Sequence, residues 1–94
     1  MNIKHTQNTS GGEFTAYIDG KQAGLITYTK DDEHHISLMH TEVDNEFRGQ
    51  NIGKKILDET VRYVRENNLL IKPVCSFTEV MFRRYPDEYA DVAG

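Results

Sequence analysis

The run "FTAYIDGKQAGLITYT" has two stretches rich in strand-forming residues on either side of Asp19-Gly20, a dipeptide that tolerates the positive φ angles of a tight hairpin turn. Strands are expected over about 13–18 and 22–30. After the polar connection "KDDEHH", the segment "HISLMHTEV" alternates again. It places Ile36, Leu38, His40 and Glu42 on one face and Ser37, Met39, Thr41 and Val43 on the other. From about residue 49 the period lengthens to that of a helix. Ile52, Ile56, Leu57, Thr60, Val61 and Val64 share one side, and Lys54, Lys55, Asp58, Glu59, Arg62, Arg65 and Glu66 cover the other. Asn67-Asn68 is a natural stop, because asparagine accepts the left-handed conformation that closes a helix. "LLIKPVCSF" reads as a strand over 70–75 interrupted by Pro73, which donates no ladder hydrogen bond. Ser76 and Glu79 have capping-box spacing, so a last short helix is expected over about 77–85, ending before Pro86.

Strands, helix, strand, helix in that order describe an α+β (mixed α/β) domain. Its sheet is mostly antiparallel, with one parallel pair joined across the long helix and a short C-terminal helix. A chain of 94 residues suits one core, so residues 1–94 are expected to form a single domain, with 1–12 and the last few residues loosely held. The formal charge is −4, which offers no overall positive field for nucleic acid. The basic residues Arg62, Arg65, Arg83 and Arg84 are interleaved with acidic ones, as on a solvated helix face. No apolar run has the length of a membrane span or signal peptide, so a cytoplasmic location is expected, with no membrane partner. Cys75 is the single cysteine and has no partner for a disulfide or a zinc site. The adjacent His34 and His35 lack further ligands at metal spacing, so no metal is expected.

The stretch "FRGQNIGKKIL" sets a glycine-bounded loop where the long helix begins. A helix start leaves backbone N–H groups without intrahelical partners, and its dipole favours an anion there. Gly49 and Gly53 permit close approach, Asn51 suits a turn, and Arg48, Lys54 and Lys55 add positive charge. A phosphate group is the natural guest; the bland alternative is an ordinary turn with tight helix packing. The spacing does not match the nucleoside-triphosphate loop, because three residues rather than four separate the glycines and Lys55 stands where Ser or Thr belongs. The three-glycine dinucleotide fingerprint is also missing.

Arg48-Gly-Gln-Asn-Ile-Gly53 resembles the Arg/Gln-x-x-Gly-x-Gly/Ala loop of the GNAT superfamily of N-acetyltransferases, with Asn51 in place of the first motif glycine. "MHTEV" before it, "KKILDETVRYVRE" after it and "LLIKPVCSFTEVMFRRYPDEY" are similar to a compact subgroup of that superfamily, so the resemblance spans residues 13–89. It implies a GNAT-like mixed sheet whose central parallel strands, here 36–43 and 70–75, splay apart to admit the pantetheine arm of acetyl-coenzyme A. It also implies that Val43, Arg48, Gly49, Gln50, Asn51, Ile52, Gly53 and Lys54 bind this cosubstrate, which donates its acetyl group to an amine acceptor.

Acetyl transfer needs a deprotonated amine, a polarised thioester carbonyl and a proton for the departing thiolate. Superfamily members commonly carry an asparagine after the second strand and an acidic tyrosine seven residues on; here those places hold Cys75 and Phe82. Tyr85, one turn further, is a possible substitute acid. Cys75 precedes a helix start whose partial positive charge favours a thiolate, so it is a candidate proton donor or acetyl-carrying nucleophile, against the plain reading of an inert buried thiol. His40 is the candidate base, with Glu42 a weaker one; a strand histidine that merely hydrogen-bonds its neighbours is the alternative.

Two functions follow: an acetyl-coenzyme A-dependent N-acetyltransferase of unknown acceptor, or a module that binds coenzyme A with little turnover. Longer members of the superfamily have helices between their first two strands that wall the acceptor groove. This chain has no room for them, so an open or shared acceptor site, in a monomer or weak homodimer, is expected.

Overall fold

Asp19 and Gly20 both adopt positive φ, 50° and 79°, and close the expected hairpin between β2 (Gly11–Ile18) and β3 (Lys21–Lys30) in a computed structural model that describes residues 1–94. β4 (His35–Val43) pairs antiparallel with β3. Residues 1–12, expected to be loose, are ordered instead. β1 (Asn2–Gln7) runs antiparallel to β2, with Ile3 opposite Ala16 and His5 opposite Phe14. The strand is hard to see in the sequence because its inward positions hold only Ile3 and His5. The imidazole stacks on Phe14 with ring centroids 4.1 Å apart and so fills an apolar place.

The five strands lie in chain order, β1-β2-β3-β4-β5, and β5 (Leu70–Pro73) is parallel to β4. That parallel pair requires a crossover, which α1 (Ile52–Glu66) supplies. Its stripe of Ile52, Ile56, Leu57, Thr60, Val61 and Val64 is buried against Phe14, Ala16, Ile26, Ile36, Leu38 and Ile71. Full burial of each large aliphatic side chain contributes about 1.5–3 kcal/mol. Thr60 donates to Ile56 O at 2.9 Å, which removes the cost of its buried hydroxyl. Gly24 lets the helix start this close to β3, since a Cβ there would stand 2.7 Å from Glu42 O and 3.2 Å from Ile52 Cγ2. Asn68 takes φ 55°, and Leu69 N bonds Val64 O at 3.0 Å, so the asparagine pair ends the helix as expected.

α2 (Ser76–Arg84) is capped by Cys75 rather than Ser76, and Glu79 pairs with Arg83 instead of completing a capping box. α2 does end before Pro86, as expected, but it is not the last helical segment. Pro86 opens a further turn, α3 (Pro86–Tyr89), and a 3₁₀ turn, Ala90–Val92, follows. The last residues are held as well: Val92 is buried and Gly94 N donates to Ile71 O at 3.0 Å. No helix is long and apolar enough to cross a membrane.

Candidate active site

β4 and β5 pair for only four positions, His35 with Leu70 through Leu38 with Pro73. Pro73 has no N–H to continue the ladder, and the next two amides, Val74 and Cys75, both turn back to Leu38 O at 3.1 and 2.9 Å. Beyond Leu38 the strands part, as expected, and the later residues of β4 have no β5 partner. Met39 and Val74, the residues that follow the last paired positions of the two strands, have exposed side chains.

The segment after β4 supplies the second half of the site. Asp44 accepts from Glu46 N and starts a 3₁₀ turn, Asn45–Phe47, whose Phe47 is buried and anchors the loop. Gly49 (φ 85°) and Asn51 (φ 57°) then take left-handed conformations, and Asn51 caps α1 without a side-chain hydrogen bond. Consequently none of the six amides of residues 49–54 donates to another group of the protein. The first that does is Lys55 N, to Asn51 O at 3.0 Å. Arg48 and Lys55 are exposed beside this row. Arg48 also borders an open cleft of about 680 Å³ that includes Thr41, Glu42, Val43 and Asp44.

Two of the expected cosubstrate residues also have structural partners. The Lys54 ammonium turns away from the loop to Asp58 (3.1 Å), Glu88 (3.3 Å) and Tyr89 Oη (3.2 Å), and lies 4.9 Å from the centre of the Tyr85 ring. Burial lowers its proton affinity, but these hydrogen bonds outweigh that and raise it above the ordinary lysine range. Only its amide belongs to the loop. Gly53 is buried against α2, where a Cβ would lie 2.7 Å from Phe77 Cζ, so its bareness also serves helix packing. Ile52 is buried in the core; Gln50 and Asn51 are exposed, and Val43 is half-buried at the end of β4.

Cys75 sits at the opening, partly exposed, with its sulfur 3.2 Å from Thr41 Oγ1 and 3.1 Å from Thr78 Oγ1. His40 does not join it. Simple alternation puts His40 on the face of Ile36 and Leu38, but Met39 is a bulge: Tyr28 faces Leu38 while Thr27 faces His40. One extra residue reverses the faces that follow. Thr41, opposite Ile26, now lies on the helix-covered face. His40 and Glu42, opposite Thr27 and Leu25, lie on the uncovered face. Their side chains are exposed and paired, Nε2 to Oε1, at 3.3 Å. Tyr85, the substitute acid, is instead part of the C-terminal aromatic group beneath Lys54, and Phe82 stacks on Tyr89. Thr41 and Thr78 escaped sequence reasoning. The only available signal was Thr78 three residues after a helix cap, where a hydroxyl can reach back to the cap.

A family profile described as GCN5-related N-acetyl-transferase matches residues 13–92. Among solved structures, a GCN5-like protein of Staphylococcus aureus is 35% identical, with a TM-score of 0.73 over 99% of this chain and 89% of that one. A ribosomal-protein-alanine N-acetyltransferase from Brucella melitensis shares 16% identity, with a TM-score of 0.67 over 83% of this chain and 64% of that one. A GNAT family acetyltransferase from Elizabethkingia anophelis with acetyl-CoA bound shares 18% identity, with a TM-score of 0.65 over 82% of this chain and 54% of that one. No curated protein matches the chain.

Proposed function

Because the chain belongs to the GCN5-related N-acetyltransferase family, we propose that it moves the acetyl group of acetyl-coenzyme A onto a primary amine, with residues 48–54 gripping the pyrophosphate and Cys75 and His40 serving the thioester. The observation that carries this reading is the row of six unused amides beside a parted strand pair. Consecutive N–H groups at a helix start, with Arg48 and Lys55 close by, fit a diphosphate. The gap left where β4 and β5 part fits an extended arm. β4 beyond Leu38 has lost its β5 partner and so has N–H groups to offer the thioester carbonyl.

His40 and Cys75 stand on opposite faces of β4, and that division suits the reaction. The amine approaches from the uncovered face and passes a proton to His40, which Glu42 orients. Its nitrogen attacks the carbonyl carbon, the C–S bond breaks, and the electron pair stays on the coenzyme A sulfur. The Cys75 thiol, on the helix side, gives that sulfur its proton.

A binding module with little turnover is the second reading. One feature favours it: β1 and β2 are joined by residues 8–10 alone, a turn closed by Asn8 Oδ1, so nothing there walls an acceptor groove. Release of free thiol from acetyl-coenzyme A, followed across a panel of primary amines, separates the two. Turnover that falls on replacement of Cys75 or His40 supports the transferase; a ligand-dependent rise in melting temperature without turnover supports the module; neither signal defeats both.

A further inference from the structure

The hydrogen-bond inventory around Cys75 gives direction to its proton. Thr78 Oγ1 donates to Cys75 O at 3.0 Å, and a hydroxyl carries one hydrogen, so toward the sulfur at 3.1 Å the same oxygen can only accept. The thiol hydrogen therefore goes to Thr78. Thr41 Oγ1, 3.2 Å from the sulfur on the other side and without another hydrogen-bond partner, is then the donor to it. The chain runs from Thr41 O–H to sulfur, from S–H to Thr78, and from Thr78 O–H to the Cys75 carbonyl. If the thiol loses its proton, Thr41 already donates, and Thr78 can turn its hydrogen from the carbonyl to the sulfur. The carbonyl is not stranded by that turn, because Glu79 N also donates to it at 3.0 Å.

We propose that Thr41 is a positioning residue for the Cys75 proton donor, and that Thr41 and Thr78 together form a two-donor cradle for the sulfur after its proton has left. This rests on the reading of Cys75 as the acid. In the reaction, the amine nitrogen bonds to the acetyl carbon and the C–S bond breaks. The Cys75 proton moves to the departing sulfur, and the amine proton moves to His40. The residual charge on Cys75 is held by both hydroxyls until the proton on His40 returns to Cys75 through solvent. The Met39 bulge makes the arrangement possible, since without it Thr41 faces away from α2.

The test uses the full chain, and its first arm needs no acceptor. Cys75 is the only cysteine, so alkylation by iodoacetamide reads it alone. Thr41→Val keeps the shape and removes the donor; at pH 7 its alkylation is expected to be roughly 10-fold slower than wild type, the scale of one hydrogen bond to a charged group. Thr41→Ser is expected to restore the rate. In the thiol-release assay, Thr41→Val is expected to lower kcat by a similar factor with KM for acetyl-coenzyme A unchanged. Alkylation of Thr41→Val at the wild-type rate, or a Thr41→Ser variant as slow as Thr41→Val, overturns the inference and leaves the acid reading intact. Full turnover in Cys75→Ala, with slow alkylation in Thr41→Val, overturns the acid reading and leaves the cradle standing.

Discussion

At one end of the β4–β5 pair the backbone is fully used. His35 through Leu38 are laddered to Leu70 through Pro73, Leu70 N donates to His34 O at 2.7 Å, and the chain terminus closes over Ile71. At the other end the same strands separate, and the next loop leaves six amides without a protein partner. The contrast extends to charged side chains. Lys54 and Arg65 of α1 are locked to Asp58, Glu88 and Asp91, whereas Arg48 and Lys55 beside the loop are free. An unpaired backbone donor is costly where it is buried and useful where a ligand can reach it. Backbone donors are consumed at one end of the strand pair and left available at the other.

The largest effect is expected where the open end is spoiled and the closed end is left intact. Gly49 has φ 85°, and a Cβ added there would meet no atom within 4 Å, so Gly49→Val strains only the loop backbone. Acetyl-coenzyme A at 100 times its Kd stabilises a protein by about 2.7 kcal/mol, on the order of 10 °C for a domain of this size. The wild type should show that shift in a thermal melt and Gly49→Val should lose it; a valine variant with the full shift defeats the assignment of the loop. Cys75→Ala is expected to keep the melting shift while turnover falls by roughly 10²–10⁴, the range of a lost acid, as measured by thiol release.

Gly53 has two parts, an amide in the loop and a bare Cα packed on Phe77. Gly53→Val drives a methyl group toward Phe77 and should cost about 1–3 kcal/mol in denaturant melts even without ligand. Phe77→Ala in the same chain should recover much of that; no recovery would place the cost in the loop instead. Lys54→Met leaves the loop amides in place and cuts only the ion pairs to Asp58 and Glu88. About 1 kcal/mol of stability should go, with the ligand-induced shift preserved. Since the folded state raises the lysine's proton affinity, its contribution is complete below the unfolded value near 10.4 and is lost progressively as pH rises from there toward the folded-state value.

The smallest effect lies furthest from the opening, at His5. Burial pushes its pKa below the usual 6.5, so the folded state favours the neutral ring. Its contribution is therefore present above about pH 6.5 and is lost as pH falls toward the folded-state value. Melting temperatures at pH 7.5 and 5 should differ less in His5→Phe than in wild type, and an equal difference would assign the acid sensitivity elsewhere.

Much of this was legible in the chain. The Asp19-Gly20 turn, the stripe of α1, the Asn67-Asn68 stop and the lapse of pairing at Pro73 each follow from a local preference that the tertiary structure leaves alone. The hidden features share a cause: each depends on a partner distant in sequence. β1 was missed because the apolar role of His5 exists only once Phe14 and Tyr63 surround it. Lys54 reads as a loop cation until Glu88 and Tyr89 fold back over it.

Local patterning alone settles the order of elements, the glycine-bounded loop at a helix start and the proline that ends the parallel pairing, because φ preferences and hydrophobic period act within a few residues. Which side chains meet was decided only in three dimensions. A single bulge at Met39 exchanges Thr41 for His40 on the face that meets Cys75, since the period of a strand is two and one added residue reverses everything after it.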